Sequence, residues 1–340
     1  MNYEITLHMI PVPAKAAWRR ELAAAIRDPA ELARRLELPA EVLIGAEGVH
    51  RAFRTLVPQG FVARMEPGNP DDPLLRQVLP SALELAHQPP DYIRDPLGES
   101  TARRADGVLV KYRGRALIIT SGACAVHCRY CFRRHYPYPG ENPRRDDWRP
   151  AVDAIAADST LEEVILSGGD PLMLDDIELA RLSERLSAIP HLRSLRIHTR
   201  LPIVLPQRVD DALLGWLRAS RLPVTMVVHA NHPHEIDTHV REACRQLAAS
   251  VRFLLNQSVL LAGVNDDPGT LTKLSHALSA ARVLPYYLHL PDRVEGTAHF
   301  GIGEERGREL IAAMRATLPG YLVPRLAREE PGAPGKNIIA

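Results

Sequence analysis

The sequence carries almost no net charge, no long apolar run and few cysteines, and each shortage removes a class of function. Its 42 Lys and Arg face 41 Asp and Glu, a formal net charge of +1. Such a chain has no global field to draw in nucleic acid or an anionic membrane, and neither is expected as a partner. Apolar runs such as Val259–Val264 fall far short of the roughly 20 helical residues that span a bilayer. The opening Met-Asn-Tyr-Glu-Ile-Thr has no basic segment followed by an apolar stretch, so no secretory leader is expected. No Gly-x-Gly-x-x-Gly follows the first β-run, which weakens a dinucleotide-binding reading. The 4 cysteines are too few and too bunched for the disulfide framework of a small secreted protein. A cytoplasmic, reducing compartment is the expectation.

What is present is an ordinary globular composition, 46% hydrophobic and 24% charged over 340 residues, with 29 scattered prolines acting as loop punctuation. Residues 1–105 read as a mostly helical region. Lys15–Arg27 and Pro29–Leu38 place apolar residues three and four apart, and Asp71–His87 continues the pattern. From about residue 108, β-runs at Val108–Thr120, Glu163–Leu166, Ser194–Thr199, Pro223–His229, Val251–Leu260 and Val283–Leu290 alternate with helical stretches. Those stretches are Asp147–Ala157, Asp175–Ile189, Val209–Ala219, Ile236–Ala249 and Gly269–Ala280. The alternation predicts an α/β fold of βα units around parallel strands, wound by right-handed crossovers into a barrel or an open sheet.

The ends of the β-runs carry the chemistry. They finish in Ser121-Gly122-Ala123-Cys124, Ser167-Gly168-Gly169-Asp170, His198-Thr199-Arg200, His229-Ala230-Asn231-His232, Asn256-Gln257 and His289-Leu290-Pro291-Asp292. Polar and ionisable residues at every strand's C-terminal end predict one large active site on the face where βα barrels do catalysis. Cys124, Cys128 and Cys131 fall inside eight residues on the first of these loops, while Cys244 sits alone in a helical stretch. Three thiolates suit an iron–sulfur cubane that keeps one iron open. The alternatives are zinc, with His127 or His135 as fourth ligand, or a non-catalytic metal staple.

Cys-x-x-x-Cys-x-aromatic-Cys, with Tyr130 as the aromatic, is the signature of radical S-adenosylmethionine (SAM) enzymes. The longer string from Cys124 through Arg134 is narrower. Together with Ser167-Gly-Gly-Asp-Pro171, Arg200 through Arg208 and Leu260 through Asp266, it closely resembles the lysine 2,3-aminomutase family. The resemblance covers most of the chain, and the short length is most similar to the branch that acts with elongation factor P (R)-β-lysylation. It implies a partial (β/α)6 TIM-like barrel of the radical SAM type over 106–300, an N-terminal helical region over 1–105 and a pyridoxal phosphate (PLP) segment over 301–340.

It also implies an activity and its residues. L-α-lysine would be converted to (R)-β-lysine by a radical 1,2-amino shift using a [4Fe–4S] cluster, S-adenosyl-L-methionine and pyridoxal 5′-phosphate. Cys124, Cys128 and Cys131 match the cluster ligands. Ser167, Gly168, Gly169, Asp170, His229 and Gln257 match the SAM site, although glycines there also suit a tight βα turn. Lys336, in Glu330-Pro-Gly-Ala-Pro-Gly-Lys336, matches the PLP lysine, a residue that by position alone would read as a solvated tail. Lys111 and Arg115 match the phosphate-binding pair, with Lys111 in place of an arginine; period two along one strand would put Lys111, Arg113 and Arg115 on one face. Arg133 matches the substrate-carboxylate partner, and Asp292 and Glu329 the acids that hold a side-chain ammonium. The implied partners are L-lysine, an electron donor such as flavodoxin or ferredoxin, and elongation factor P with its lysyl ligase. An aminomutase for another amino acid such as glutamate is the remaining enzymatic alternative.

Overall fold

The structure, a computed structural model, describes residues 17–140 and 143–340. Several of its helices start behind an Asp whose side chain caps them. In the N-terminal region, α1 (Ala17–Ala23), α2 (Pro29–Arg35), α3 (Ala46–Ala52) and α4 (Gln59–Val62) are short, and α2 opens with Asp28 accepting from the Ala30 amide ahead of Pro29. Lys15 and Ala16, the start of the first expected helix, lie outside the described residues.

The expected helix at Asp71–His87 is instead a succession of turns with one short 3₁₀ segment, Ala82–Glu84. The Asp72 carboxylate takes the amides of Leu74 and Leu75, and Pro80 has no amide to continue a ladder.

Among the described residues one ten-stranded sheet follows in strict chain order. β1 (Arg103–Ala105), β2 (Val108–Tyr112) and β3 (Arg115–Ser121) form an antiparallel meander. The expected single run Val108–Thr120 is therefore two strands. Gly114, at φ +80°, turns the chain back, so Lys111 and Arg115 lie on different strands and Arg113 sits exposed at the bend. Lys111, Arg113 and Arg115 therefore do not share one strand face, contrary to expectation.

β4 (Glu163–Gly168), β5 (Ser194–Thr199), β6 (Val224–Val228), β7 (Phe253–Val259), β8 (Leu284–His289) and β9 (Arg325–Arg328) then add in parallel to β3, and β10 (Asn337–Ile338) closes antiparallel on β9. Between successive parallel strands lie α5 (Arg149–Ala156), α6 (Asp176–Ser187), the short α7 (Leu201–Val204) with α8 (Asp211–Ala219), α9 (Thr238–Ala248), α10 (Pro268–Ala280) and α11 (Glu304–Thr317). Six βα units, from β3 through α11, thus give the (β/α)6 partial barrel, with β9 as a further parallel strand.

The outer helices are amphipathic in the expected way. α9 is capped by Asp237 on the Val240 amide and buries Val240, Ala243, Cys244 and Leu247, one stripe at helical spacing. β4 is buried along almost its whole length, as a parallel strand covered on both faces must be. Trp18, Leu32 and Phe61 share one apolar core with these strands, so the N-terminal region packs onto the barrel. The sheet curls enough for Lys111 on β2 to reach Glu329, just past β9, at 2.8 Å. Among the described residues no helix is long and apolar enough to cross a membrane.

Candidate active site

A cavity of about 370 Å³ opens at the C-terminal ends of the parallel strands. The loop after β3 brings Cys124, Cys128 and Cys131 to it. The N-terminal region holds that loop from behind. Leu56 and Gln77 carbonyls accept from the His127 and Arg129 amides at 3.0 and 2.8 Å. Glu84, buried, takes two hydrogen bonds from Arg129 at 2.9 and 2.6 Å and one from Arg134 at 2.6 Å. Burial, reinforced by the neighbouring sulfurs, pushes the Cys124 thiol well up and Cys131 up to about 11. Arg200, at the end of β5, donates to the Cys128 sulfur at 2.7 Å.

The donor set fits an iron–sulfur cluster better than one zinc ion. His127 Nδ1 is engaged with the Arg54 carbonyl at 2.8 Å and His135 Nε2 with the Glu295 carbonyl at 3.1 Å, so each expected fourth ligand has one ring nitrogen committed to the backbone. Among the described residues no three His, Cys, Asp or Glu side chains converge as a single ion would require. A cluster asks each sulfur for a separate corner.

The glycines after β4 answer to close packing. A Cβ on Gly168, at φ +119°, would meet the Ser121 carbonyl at 2.7 Å, and one on Gly169 would run into the Ala123 carbonyl. Their amide neighbours use that closeness: Asp170 N–H donates to the Ala123 carbonyl at 2.8 Å. The Asp170 carboxylate is spent on the protein, accepting from Thr199 Oγ1, Arg200 N, Leu201 N and Leu172 N. Burial raises it to about 6 against those hydrogen bonds. Nearby, His198 Nε2, His229 Nε2 and Gln257 Oε1 are buried without partners, and all three residues line the cavity. Unpartnered buried polar atoms are costly, and their presence here fits a polar ligand. Burial, then Arg200, lowers His229 to about 3, so it meets a ligand as neutral imidazole.

A run of alternating charge crosses the same cavity. Lys336 Nζ donates to Glu329 Oε1 at 2.7 Å and lies 3.1 Å from His289 Nε2. Glu329 Oε2 accepts from Lys111 at 2.8 Å, and Lys111 stands 3.9 Å from Glu99. Glu99 grips Arg133 through Nε and Nη2 at 2.8 and 2.7 Å, and Arg133 Nη1 donates to Ser167 Oγ at 2.9 Å. Burial would raise Glu329, yet the Lys336 and Lys111 ammonium groups hold it well below its usual value. Asp292 behaves oppositely: burial, then the Glu329 carboxylate, push it up to about 7. Arg115 faces the cavity with its guanidinium over the Tyr112 ring at 5.6 Å. Lys111, which shares Glu329 with Lys336, and Arg115, which lines the same cavity, are cations that fit a phosphate-bearing cofactor.

Every site residue expected from the sequence lines this one cavity, including Lys111 and Arg115 despite their separate strands. Sequence reasoning missed Glu99, His198, Arg200 and His289. The last three stood at strand ends already singled out, and their position was the available signal. Glu99 lies in a loop 34 residues before Arg133, with nothing local to mark it.

The Radical SAM superfamily matches residues 118–246. An L-lysine 2,3-aminomutase of Escherichia coli (strain K12) is 45% identical over 338 residues, covering 99% of this chain and 97% of that protein. One from Haemophilus influenzae is 48% identical over 324 residues, 95% of each. One from Clostridium subterminale is 34% identical over 328 residues, 95% of this chain and 77% of that protein.

Proposed function

The chain belongs to the L-lysine 2,3-aminomutase family of radical SAM enzymes, and from that premise we propose that it moves the amino group of L-lysine from C2 to C3, giving (R)-β-lysine for the modification of elongation factor P. Enzymes of this family work with a [4Fe–4S] cluster, S-adenosyl-L-methionine and pyridoxal 5′-phosphate. When bound, these groups supply hydrogen-atom abstraction and a conjugated carbonyl that binds the migrating amine. The observation that carries the reading is that three cysteines, a partly buried lysine, two further cations and a carboxylate pair all line one cavity.

In this reading Cys124, Cys128 and Cys131 hold the cluster. Ser167, Gly168, Gly169, Asp170, His229 and Gln257 surround SAM, with Asp170 acting by tying the β4 and β5 ends together. Lys336 carries the PLP, and Lys111 and Arg115 meet its phosphate. Burial, then Lys336, lowers His289, so its neutral Nε2 accepts a hydrogen bond from Lys336 Nζ and helps to orient that amine. Glu99 fixes Arg133, whose Nη2 carries a second N–H for a substrate carboxylate. Asp292 and Glu329 receive the distal ammonium, an arrangement that would repel the side chain of glutamate.

The elongation factor P branch is supported by the higher identity to the Escherichia coli and Haemophilus influenzae proteins, 45% and 48%, than to the Clostridium subterminale one, 34%. The modification requires a lysyl ligase to receive the product, and the cluster an electron donor of the flavodoxin or ferredoxin kind. An open cysteine triad suits the reducing cytoplasm. Chiral chromatography of the product from labelled L-lysine, with the protein reconstituted anaerobically, tests the proposal. (R)-β-lysine is expected. (S)-β-lysine would move the protein to the other branch, and turnover of glutamate without lysine would overturn the substrate.

A further inference from the structure

The Arg200 guanidinium is buried beside the cysteine loop. Its Nη1 lies 2.7 Å from Cys128 Sγ. The rest of the side chain is fixed from three directions. Nη2 donates to Gln77 Oε1 at 2.7 Å and to Glu235 Oε2 at 3.1 Å, and the Tyr130 and Phe61 rings flank the guanidinium at 5.5 and 5.6 Å. Glu235 is itself immobilised, its other oxygen accepting from Gln77 Nε2, Asn231 N and His232 N. The backbone joins in, since Arg200 N–H donates to Asp170 Oδ2 at 2.7 Å. The only sulfur this frame aims the arginine at is one corner of the cysteine triad.

We propose that Arg200 tunes the reduction potential of the cluster by donating a charge-assisted N–H···S hydrogen bond to the Cys128 thiolate. The inference rests on the three cysteines being cluster ligands. Potentials of such clusters respond to hydrogen bonds on the sulfurs and to nearby charge. Reduction adds negative charge to the cluster, and a cation donating to a ligand sulfur in a water-poor site stabilises that charge. Arg200 therefore raises the potential and eases entry of the electron. It is a positioning and tuning residue that touches a ligand, with no proton or bond of the substrate in its charge.

The test is a potentiometric titration of the reconstituted enzyme, followed by the electron paramagnetic resonance signal of the reduced cluster, with iron and sulfide counted per chain. Arg200→Gln should hold iron and sulfide at the wild-type level and show a lower midpoint potential. Arg200→Lys, which keeps the charge without the fork, should fall between. An unchanged potential in a fully loaded Arg200→Gln protein overturns the proposal. So does loss of the cluster from both variants with the fold intact, which would make the arginine a builder of the loop. Absence of iron and sulfide from the wild-type chain would instead overturn the cluster assignment itself.

Discussion

Asp292 and Glu329 are two carboxylates in one cavity whose surroundings drive their proton affinities apart, the usual mark of divided roles at a site. Glu329 stays ionised against Lys336 and Lys111, whereas Asp292 is held up to about 7 by burial and by the Glu329 charge. Below about pH 7 Asp292 keeps its proton and offers an ammonium no charge; above it the carboxylate ionises and binding strengthens. The KM for L-lysine should therefore fall as the pH rises through about 7, then level off. Asp292→Asn has no proton to lose and should flatten that profile. Loss of a charge-assisted contact of about 1.5–3 kcal/mol should also weaken lysine turnover about tenfold or more without disturbing either cofactor. Steady-state kinetics across the range check both. The cysteines allow a sharper contrast. Cys128 faces the cavity, while Cys244 is buried on α9 with its thiol pushed up to about 12 by burial. Cys128→Ala should abolish iron binding and Cys244→Ala should leave it intact; equal iron in the two variants would unseat the ligand assignment.

At the scale of elements, the end of β4 and the cysteine loop are pressed together so closely that only glycine fits between them. Gly169→Ala would force its Cβ into the Ala123 carbonyl, one residue before the first cluster cysteine. Overpacking of this kind costs about 1–3 kcal/mol, and the variant should unfold at lower denaturant and lose iron. Gly215 in the middle of α8 is the counter-case, with nothing within 4 Å of an added Cβ. Gly215→Ala should stabilise the protein by up to about 1 kcal/mol, and urea unfolding reads both changes. The elements most legible in the sequence were those with a strong period and a clear stop. α9 and α10 sit behind Asp caps with apolar stripes, and each lies within two residues of its expected bounds. Legibility failed where local chemistry competed with periodicity. The Asp72 side chain turns an apolar helical spacing into a chain of bends, and Gly114 folds one β-run into a hairpin.

At the scale of the molecule, the site exists because a sheet in simple chain order curls until β2 and the segment after β9 face each other through Lys111 and Glu329. Strand-end residues were readable because parallel βα units deliver their C-terminal ends to one face. The contact partners were less so: Glu99 reaches Arg133, and Glu84 reaches Arg129 and Arg134, from loops whose approach depends on the packed N-terminal region. The central claim is that the cluster cysteines and the PLP lysine serve one cavity in one chain. Lys336→Ala should lose borohydride-reducible pyridoxal yet keep iron and sulfide, and Cys128→Ala the reverse. The most direct measurement is β-lysine formation by an anaerobic mixture of these two proteins under conditions where the wild type turns over. The mixture should form none, because neither chain holds both cofactors; β-lysine from the mixture would contradict the shared cavity.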